Sequence, residues 1–337
     1  MTDLENHHQA QGNGAAAPPE QGAGAVATHV AVAPATTAVP ATTVPAVVGP
    51  KRRWEALYFA IRNKKLILGA TVVLVMLLIA VIGPSLTSWG PNEFGAPLRQ
   101  HPTSAHWFGT TMQGQDVFSQ FVNGLRTSFE VGALGGGIAA VIGMLIGFTS
   151  GYRGGFVDEV LNMITNIVLV IPALAVLIII SAMTTRGGRP GVAGVIPEAV
   201  FIAVFSWPWS ARAVRAQTFS LVSRDFIGLA RLSGQNSWKI IFKEIAPNMS
   251  SYLFMMFILQ FGGAILFAAT LDFLGLGPSG VMSLGLMMNN AVTWGSLLLG
   301  YWWWFIPPGL GIMLIVGGLY IANVGLDEVF NPKLREM

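Results

Sequence analysis

The chain is 337 residues long, 53% hydrophobic and only 10% charged, with a formal net charge of +3 and no cysteine. Soluble domains carry roughly a quarter charged residues, so this composition, with a mean hydropathy of +0.60, excludes an ordinary soluble enzyme. Without cysteine there are no disulfides, thiolate nucleophiles or Cys-ligated metals.

Residues 1–50 are rich in Ala, Pro, Thr, Val and Gly, with prolines at 18, 19, 34, 40, 45 and 50 that break any helix. They lack the charged start and continuous apolar core of a signal peptide. The expectation is a disordered tail, followed by a basic segment over 51–65 that holds Lys51, Arg52, Arg53, Arg62, Lys64 and Lys65.

Six apolar segments then approach or exceed the roughly 20 residues that cross a bilayer. They cover 66–86, 131–152, 159–186 with a kink expected at Pro172, 194–212, 249–271 and 305–323. The fourth is the weakest: Glu198 is expected at the outer interface and Arg212 to snorkel inward. Counted by alternating side with the N-terminus inside, 15 Lys and Arg fall on the inner side and four on the outer. That asymmetry places both termini in the cytoplasm. The basic residues lie beside spans rather than on a separate polar domain, which argues against nucleic acid as a partner. Trp302, Trp303 and Trp304 read as an interfacial aromatic belt at the mouth of the last span.

Residues 212–248 form a polar island between two spans, with six basic residues (Arg212, Arg215, Arg224, Arg231, Lys239, Lys243) against Asp225 and Glu244. Phe226, Ile227, Leu229 and Ala230 predict a short amphipathic helix ended by Gly234. Trp238, Ile240, Ile241 and Ile245 give a second apolar stripe that stops at Pro247. Two short helices bent at a glycine, just inside a membrane, make a docking shape for a soluble partner.

Asp225, Phe226, Ile227, Ala230, Arg231, Gly234, Ile245, Pro247 and Asn248 resemble the loop by which permease subunits of bacterial ABC importers grip their ATPases; Gly228 and Leu229 replace its Glu and first Ala. Phe108, Gly109, Thr110, Gly114, Asp116, Val117 and Ser119 are similar to a second element of the family. Trp207, Pro208, Ala211, Arg212 and Arg215 match its fourth-span exit. Leu271, Phe273, Leu274, Gly275, Leu276 and Gly277 match its Leu-Ser-Phe-Leu-Gly-Leu-Gly, with Asp272 for the Ser and Ala268 where a Glu usually stands. Asn331, Pro332 and Lys333 resemble its C-terminal motif. From 53 to 334 the chain thus resembles the C-type permease subunit of dipeptide and oligopeptide importers.

The resemblance implies an all-α, polytopic integral membrane protein with six transmembrane helices, the type I ABC importer permease fold, in the bacterial plasma membrane. It divides the chain into a tail (1–50), a basic segment (51–65), a first span and outer loop (66–130), a core permease domain (131–325) containing the coupling loop (212–248), and a cytoplasmic C-terminus (326–337). It implies a homologous B-type permease subunit, two ABC ATPase subunits and an extracytoplasmic solute-binding protein as partners, beside membrane lipid. The expected coupling residues are Asp225, Phe226, Ile227, Ala230, Arg231, Gly234 and Pro247; a candidate outer gate is Asp272, Phe273 and Trp302.

No GxxxxGK[ST] occurs, so the chain has no Walker loop and is expected to bind no cofactor itself, with ATP and Mg on the partner ATPases. The histidines (His7, His8, His29, His101, His106) show no metal spacing, and no catalytic set of nucleophile and base stands at membrane depth. Peptides are the substrate the resemblance implies. Oligosaccharides compete, on the tryptophans near span mouths and the Gly325–Glu328 ending, and metal chelates such as nickel complexes are a third class. A proton-coupled secondary transporter is the alternative of another kind, disfavoured because Glu130, Asp158, Glu159, Glu198 and Asp272 all read as span-end residues.

Overall fold

A computed structural model describes residues 58–183, 194–278 and 280–330, and among these it contains helices and one isolated bridge, Thr110 to Asp116, but no strand. The 1–50 tail, Lys51 to Arg53, Arg186, Arg189 and the motif of Asn331, Pro332 and Lys333 lie outside the described residues.

Helix α1 (Lys64–Leu86) starts where Asn63 accepts from the Leu66 amide at 2.9 Å. Helix α2 (Val117–Val131) starts where Asp116 accepts from the Ser119 amide at 2.7 Å. In both, a side-chain oxygen satisfies an amide with no partner in the first turn. A π-turn, Gly132–Gly136, joins α2 to α3 (Gly137–Arg153), so that Val117–Arg153 is one rod of 37 residues. Helices α4 (Gly155–Val170) and α5 (Ala173–Met183) meet at a 70° bend. Pro172, which lacks an amide to donate, stands at that break.

Helix α6 (Val195–Val222) leads through α7 (Asp225–Leu232), α8 (Ser237–Ile240) and α9 (Ala246–Asn248) into α10 (Ser250–Phe273). Helix α11 (Leu284–Thr293) is capped by Ser283, which accepts from the Leu286 amide at 3.1 Å, and α12 (Trp302–Phe330) ends the described chain.

Four helices are long and apolar enough to cross a membrane alone: α1, the α2–α3 rod, α10 and α12. The bent pair of α4 and α5, if counted as one broken span, brings the number to five among the described residues. The fourth expected span corresponds to α6, 28 residues long; bearing Glu198, Arg212 and Arg215, it does not join that apolar set, so the expected count of six is not reached by length and composition among the described residues.

The packing is tightest between α3 and α6. Gly143, Gly147 and Gly151 fall at every fourth residue, hence on one face of α3. A Cβ added at Gly147 would stand 2.7 Å from the Ala211 carbonyl oxygen, and one at Gly151 would stand 2.8 Å from that of Arg215. The two backbones therefore touch with no side-chain layer between them, the arrangement that substitutes for the hydrophobic effect where lipid surrounds the helices. At the far end of the bundle the main core gathers Val117, Phe121, Leu125, Leu284, Met287, Trp303, Trp304 and Ile315. Trp303 and Trp304 are thus core residues, which corrects the expected interfacial belt: only Trp302 is exposed, and Trp303 Nε1 donates to the Thr110 carbonyl at 3.2 Å.

Gly147→Ala should lower stability by about 1–3 kcal/mol, because the new methyl meets backbone that has no slack. Gly228→Ala, with nothing within 4 Å of its Cβ position, should be neutral or slightly stabilising, since Ala outranks Gly in a helix by about 1 kcal/mol. Melting temperatures of the two purified variants check both.

A candidate coupling surface and a buried acid pair

Residues 223–249 carry most of the expected site. Helix α7 ends at Ser233, and Gly234 turns the chain at φ +70, the left-handed region that favours glycine. After that turn α8 runs into a second π-turn, Ile241–Ile245, and reaches α9 at Ala246, with Pro247 next in its first turn.

The two short helices have distinct faces. Ile227, Ala230, Ile240, Ile241 and Ile245 are buried with Phe148, Val214 and Met249. Phe226, Leu229, Leu232, Trp238 and Phe242 remain exposed, Leu232 at 88%, and the rings of Trp238 and Phe242 stack at 6.0 Å. Ala230 is 5% exposed and belongs to the inner face, which corrects the expectation that it meets a partner. Asp225 occupies the first turn of α7, where a carboxylate suits the helix dipole. The Arg231 guanidinium lies over the Tyr152 ring at 5.1 Å, tying α7 to the end of α3.

Above this loop a polar clamp joins three helices. Arg215 on α6 grips Asp158 on α4 with two bonds, Nε to Oδ1 at 2.6 Å and Nη2 to Oδ2 at 2.5 Å. Ser150 on α3 donates to the same Asp158 carboxylate. The planar guanidinium matches a carboxylate edge in a way that lysine cannot. Arg212 donates to Asn166 Oδ1 at 2.6 Å rather than simply reaching toward water. Beside it, Glu159, Asn162, Met163, Asn166, Ile167, Val170 and Ile171 line an open groove of about 590 Å³ along α4.

At the opposite ends of α6 and α10 the candidate gate residues separate. Asp272 is buried and accepts from the Ser283 hydroxyl at 2.5 Å. Its side chain sits between Gly277 and Gly285, where a Cβ on Gly285 would stand 2.6 Å from Asp272 Cβ. Phe273 and Trp302 are exposed, and Trp302 meets Trp303 edge-on at 6.1 Å, in an aromatic group that includes His101 and Tyr301. Glu198, expected at an outer interface, is 1% exposed and stands beside Asp272. Sequence spacing could not reveal that pairing, because 74 positions separate the two residues; their placement at opposite-running helix ends was the available signal. The segment between α1 and α2 contains another buried pair, His106 Nδ1 and Asp116 Oδ2 at 2.7 Å. Among the described residues no three His, Asp or Glu side chains gather as metal ligands.

Residues 139–336, well over half of the chain, match the family described as binding-protein-dependent transport system inner membrane component. The chain belongs to that family. It is 32% identical over 276 residues to the dipeptide transport system permease protein DppC of Alkalihalophilus pseudofirmus, covering 81% of this chain and 88% of the relative. It is 31% identical over 272 residues to the probable D,D-dipeptide transport system permease protein DdpC of Escherichia coli, covering 78% and 86%. The glutathione transport system permease protein GsiD of Pectobacterium atrosepticum is 31% identical over 239 residues, covering 71% and 76%. The family match spans α6, the 223–249 loop and α10 in one stretch. This chain is accordingly a multi-pass membrane permease, and its relatives are transport proteins rather than enzymes.

The two faces of the loop make opposite predictions for the subunit itself. Ile227→Asp should lower the melting temperature sharply, because a buried unpaired carboxylate costs several kcal/mol. Leu232→Asp should leave the stability within about 0.5 kcal/mol of the parent.

Proposed function

We propose that this chain is one of two membrane subunits of an ATP-driven importer for peptides, and that residues 223–249 are its handle for a cytoplasmic ATPase. The observation that carries the reading is the exposed row of Phe226, Leu229, Leu232, Trp238 and Phe242 on a net basic segment between two long helices. A basic segment between spans belongs on the cytoplasmic side, so lipid does not cover that row. A soluble partner with an apolar groove does, in the manner of a helix laid into a groove. With no Walker loop of its own, the chain draws its energy from ATP and Mg held by that partner, and no cofactor resides here.

The open groove along α4 supports a second half. Its row of Asn162, Asn166 and Glu159 amid apolar residues suits one wall of a weakly polar path, completed by a homologous B-type subunit. Alternating access follows from two packings of these paired helices, and a solute-binding protein at the outer side delivers the cargo. Peptides are favoured as cargo because dipeptide and glutathione permeases stand among the relatives.

Phe226→Asp together with Leu232→Asp should abolish copurification of the ATPases while the subunit still inserts and melts normally. Undiminished copurification would overturn the handle. Gly234→Val should uncouple ATP hydrolysis from uptake, since a β-branched residue at that positive φ is strained by about 1 kcal/mol or more; Gly234→Asn, which tolerates the same turn, should retain coupling. Proteoliposomes of the full complex should take up labelled di- to pentapeptides with ATP inside. Uptake driven by a pH gradient without ATP would replace the importer with a secondary transporter.

A further inference from the structure

We propose that Glu198 and Asp272 hold one proton between them, and that this proton is a latch fastening the start of α6 to the end of α10. The inference goes beyond the importer reading and does not depend on the identity of the cargo.

The argument starts from the donors. Both oxygens of Glu198, and Oδ1 of Asp272, are buried and have no hydrogen-bond donor. Asp272 Oδ2 is already used, by the Ser283 hydroxyl at 2.5 Å. The two carboxyl groups meet each other. Ionised carboxyl groups only accept, so nothing joins this pair unless a proton sits on one of them. A carboxyl group bearing that proton becomes the donor that the other lacks. Two negative charges side by side in so dry a place are disfavoured twice over, by lost hydration and by mutual repulsion.

Ser283 identifies the acceptor. Its hydroxyl proton is committed to Asp272, and its oxygen caps α11 through the Leu286 amide at 3.1 Å. Asp272 is therefore held as the carboxylate side and Glu198 as the acid side. The space around Asp272 is made by Gly277 and Gly285, so the carboxylate cannot swing toward water without clearing backbone.

No neighbouring charge offers another solution among the described residues. Asp272 is the sole charged residue of α10, and α5, α11 and residues 274–301 carry none. On α2, Arg126 and Glu130 pair with each other at 2.9 Å in exposed positions. Glu130 stands at the rim of the shallow groove formed with Val195, Ile196 and Pro197. The remaining charges of α3, α4, α6 and α12 lie toward the loop end. Arg186 and Arg189 precede α6 outside the described residues and enter the test.

The chain has no native cysteine, so Val195→Cys places a unique thiol one turn from Glu198. In the assembled complex in proteoliposomes, its reaction with a membrane-impermeant maleimide is followed from about pH 6 to about pH 9. A Leu298→Cys reference, at a fully exposed position, corrects for thiol ionisation. The corrected labelling should rise several-fold as the shared proton is lost. With Glu198→Gln, or with Asp272→Asn should that variant fold better, an amide supplies a permanent donor and the rise should vanish. Infrared spectra should show the carbonyl stretch of a protonated carboxyl in the parent and lose it in Glu198→Gln. A flat parent profile, the same rise in the amide variants, or absence of the carbonyl band would overturn the proposal. So would protection by sodium at constant pH, which would mean an ionised pair around a cation. Loss of the profile in Arg186→Gln with Arg189→Gln would equally assign Glu198 to an arginine.

Discussion

The backbone contact between α3 and α6 is the constraint on which the other features rest. Three glycines at four-residue spacing let the helices approach until the carbonyls of Ala211 and Arg215 fill the space a side chain would need. Dispersion and weak polar contacts over such a seam replace water-driven burial in lipid. The seam also fixes rotation, so that Arg215 presents its guanidinium to Asp158 while Ser150, one position before Gly151, reaches the same carboxylate. A wider helix pair would separate that clamp. Because interfaces of this kind shift between discrete packings rather than deforming smoothly, a displacement at the 223–249 loop would be carried along α6 to Glu198.

The loop and the acid pair therefore sit at two ends of one stiff element. At one end the inner faces of α7 and the following π-turn are sunk into Phe148, Val214 and Met249, so the 223–249 segment is part of the bundle and not a loose hairpin. At the other, Asp272 is enclosed by glycines and by the cap of α11. Gly277, in the run after α10, has a steric role here: a side chain at that position would collide with the Asp272 carboxylate.

The helices, their order and the bend at Pro172 were legible in the sequence because periodicity, caps and proline act locally. The glycine turn at 234 was legible for the same reason. Inner and outer faces of α7 were not fully so: an eight-residue helix has two apolar faces, and Ala230 reads equally well on either. Glu198 was misread for a physical reason. At a span end a lone acid is taken to face water, and only tertiary proximity to Asp272 makes burial tolerable. The tryptophans of α12 likewise follow interfacial statistics until the segment between α1 and α2 covers Trp303 and the main core takes up Trp304.

The exposed aromatic and leucine row on the 223–249 loop has a consequence for how the protein is made. Contiguous apolar surface in water invites self-association, and under the proposed coupling role this row faces water until a partner covers it. A subunit synthesised in excess of whatever covers that row would be sticky in proportion to the excess. Its cellular abundance is thus tied to stoichiometric assembly, and orphan copies would be the natural substrates of membrane proteolysis.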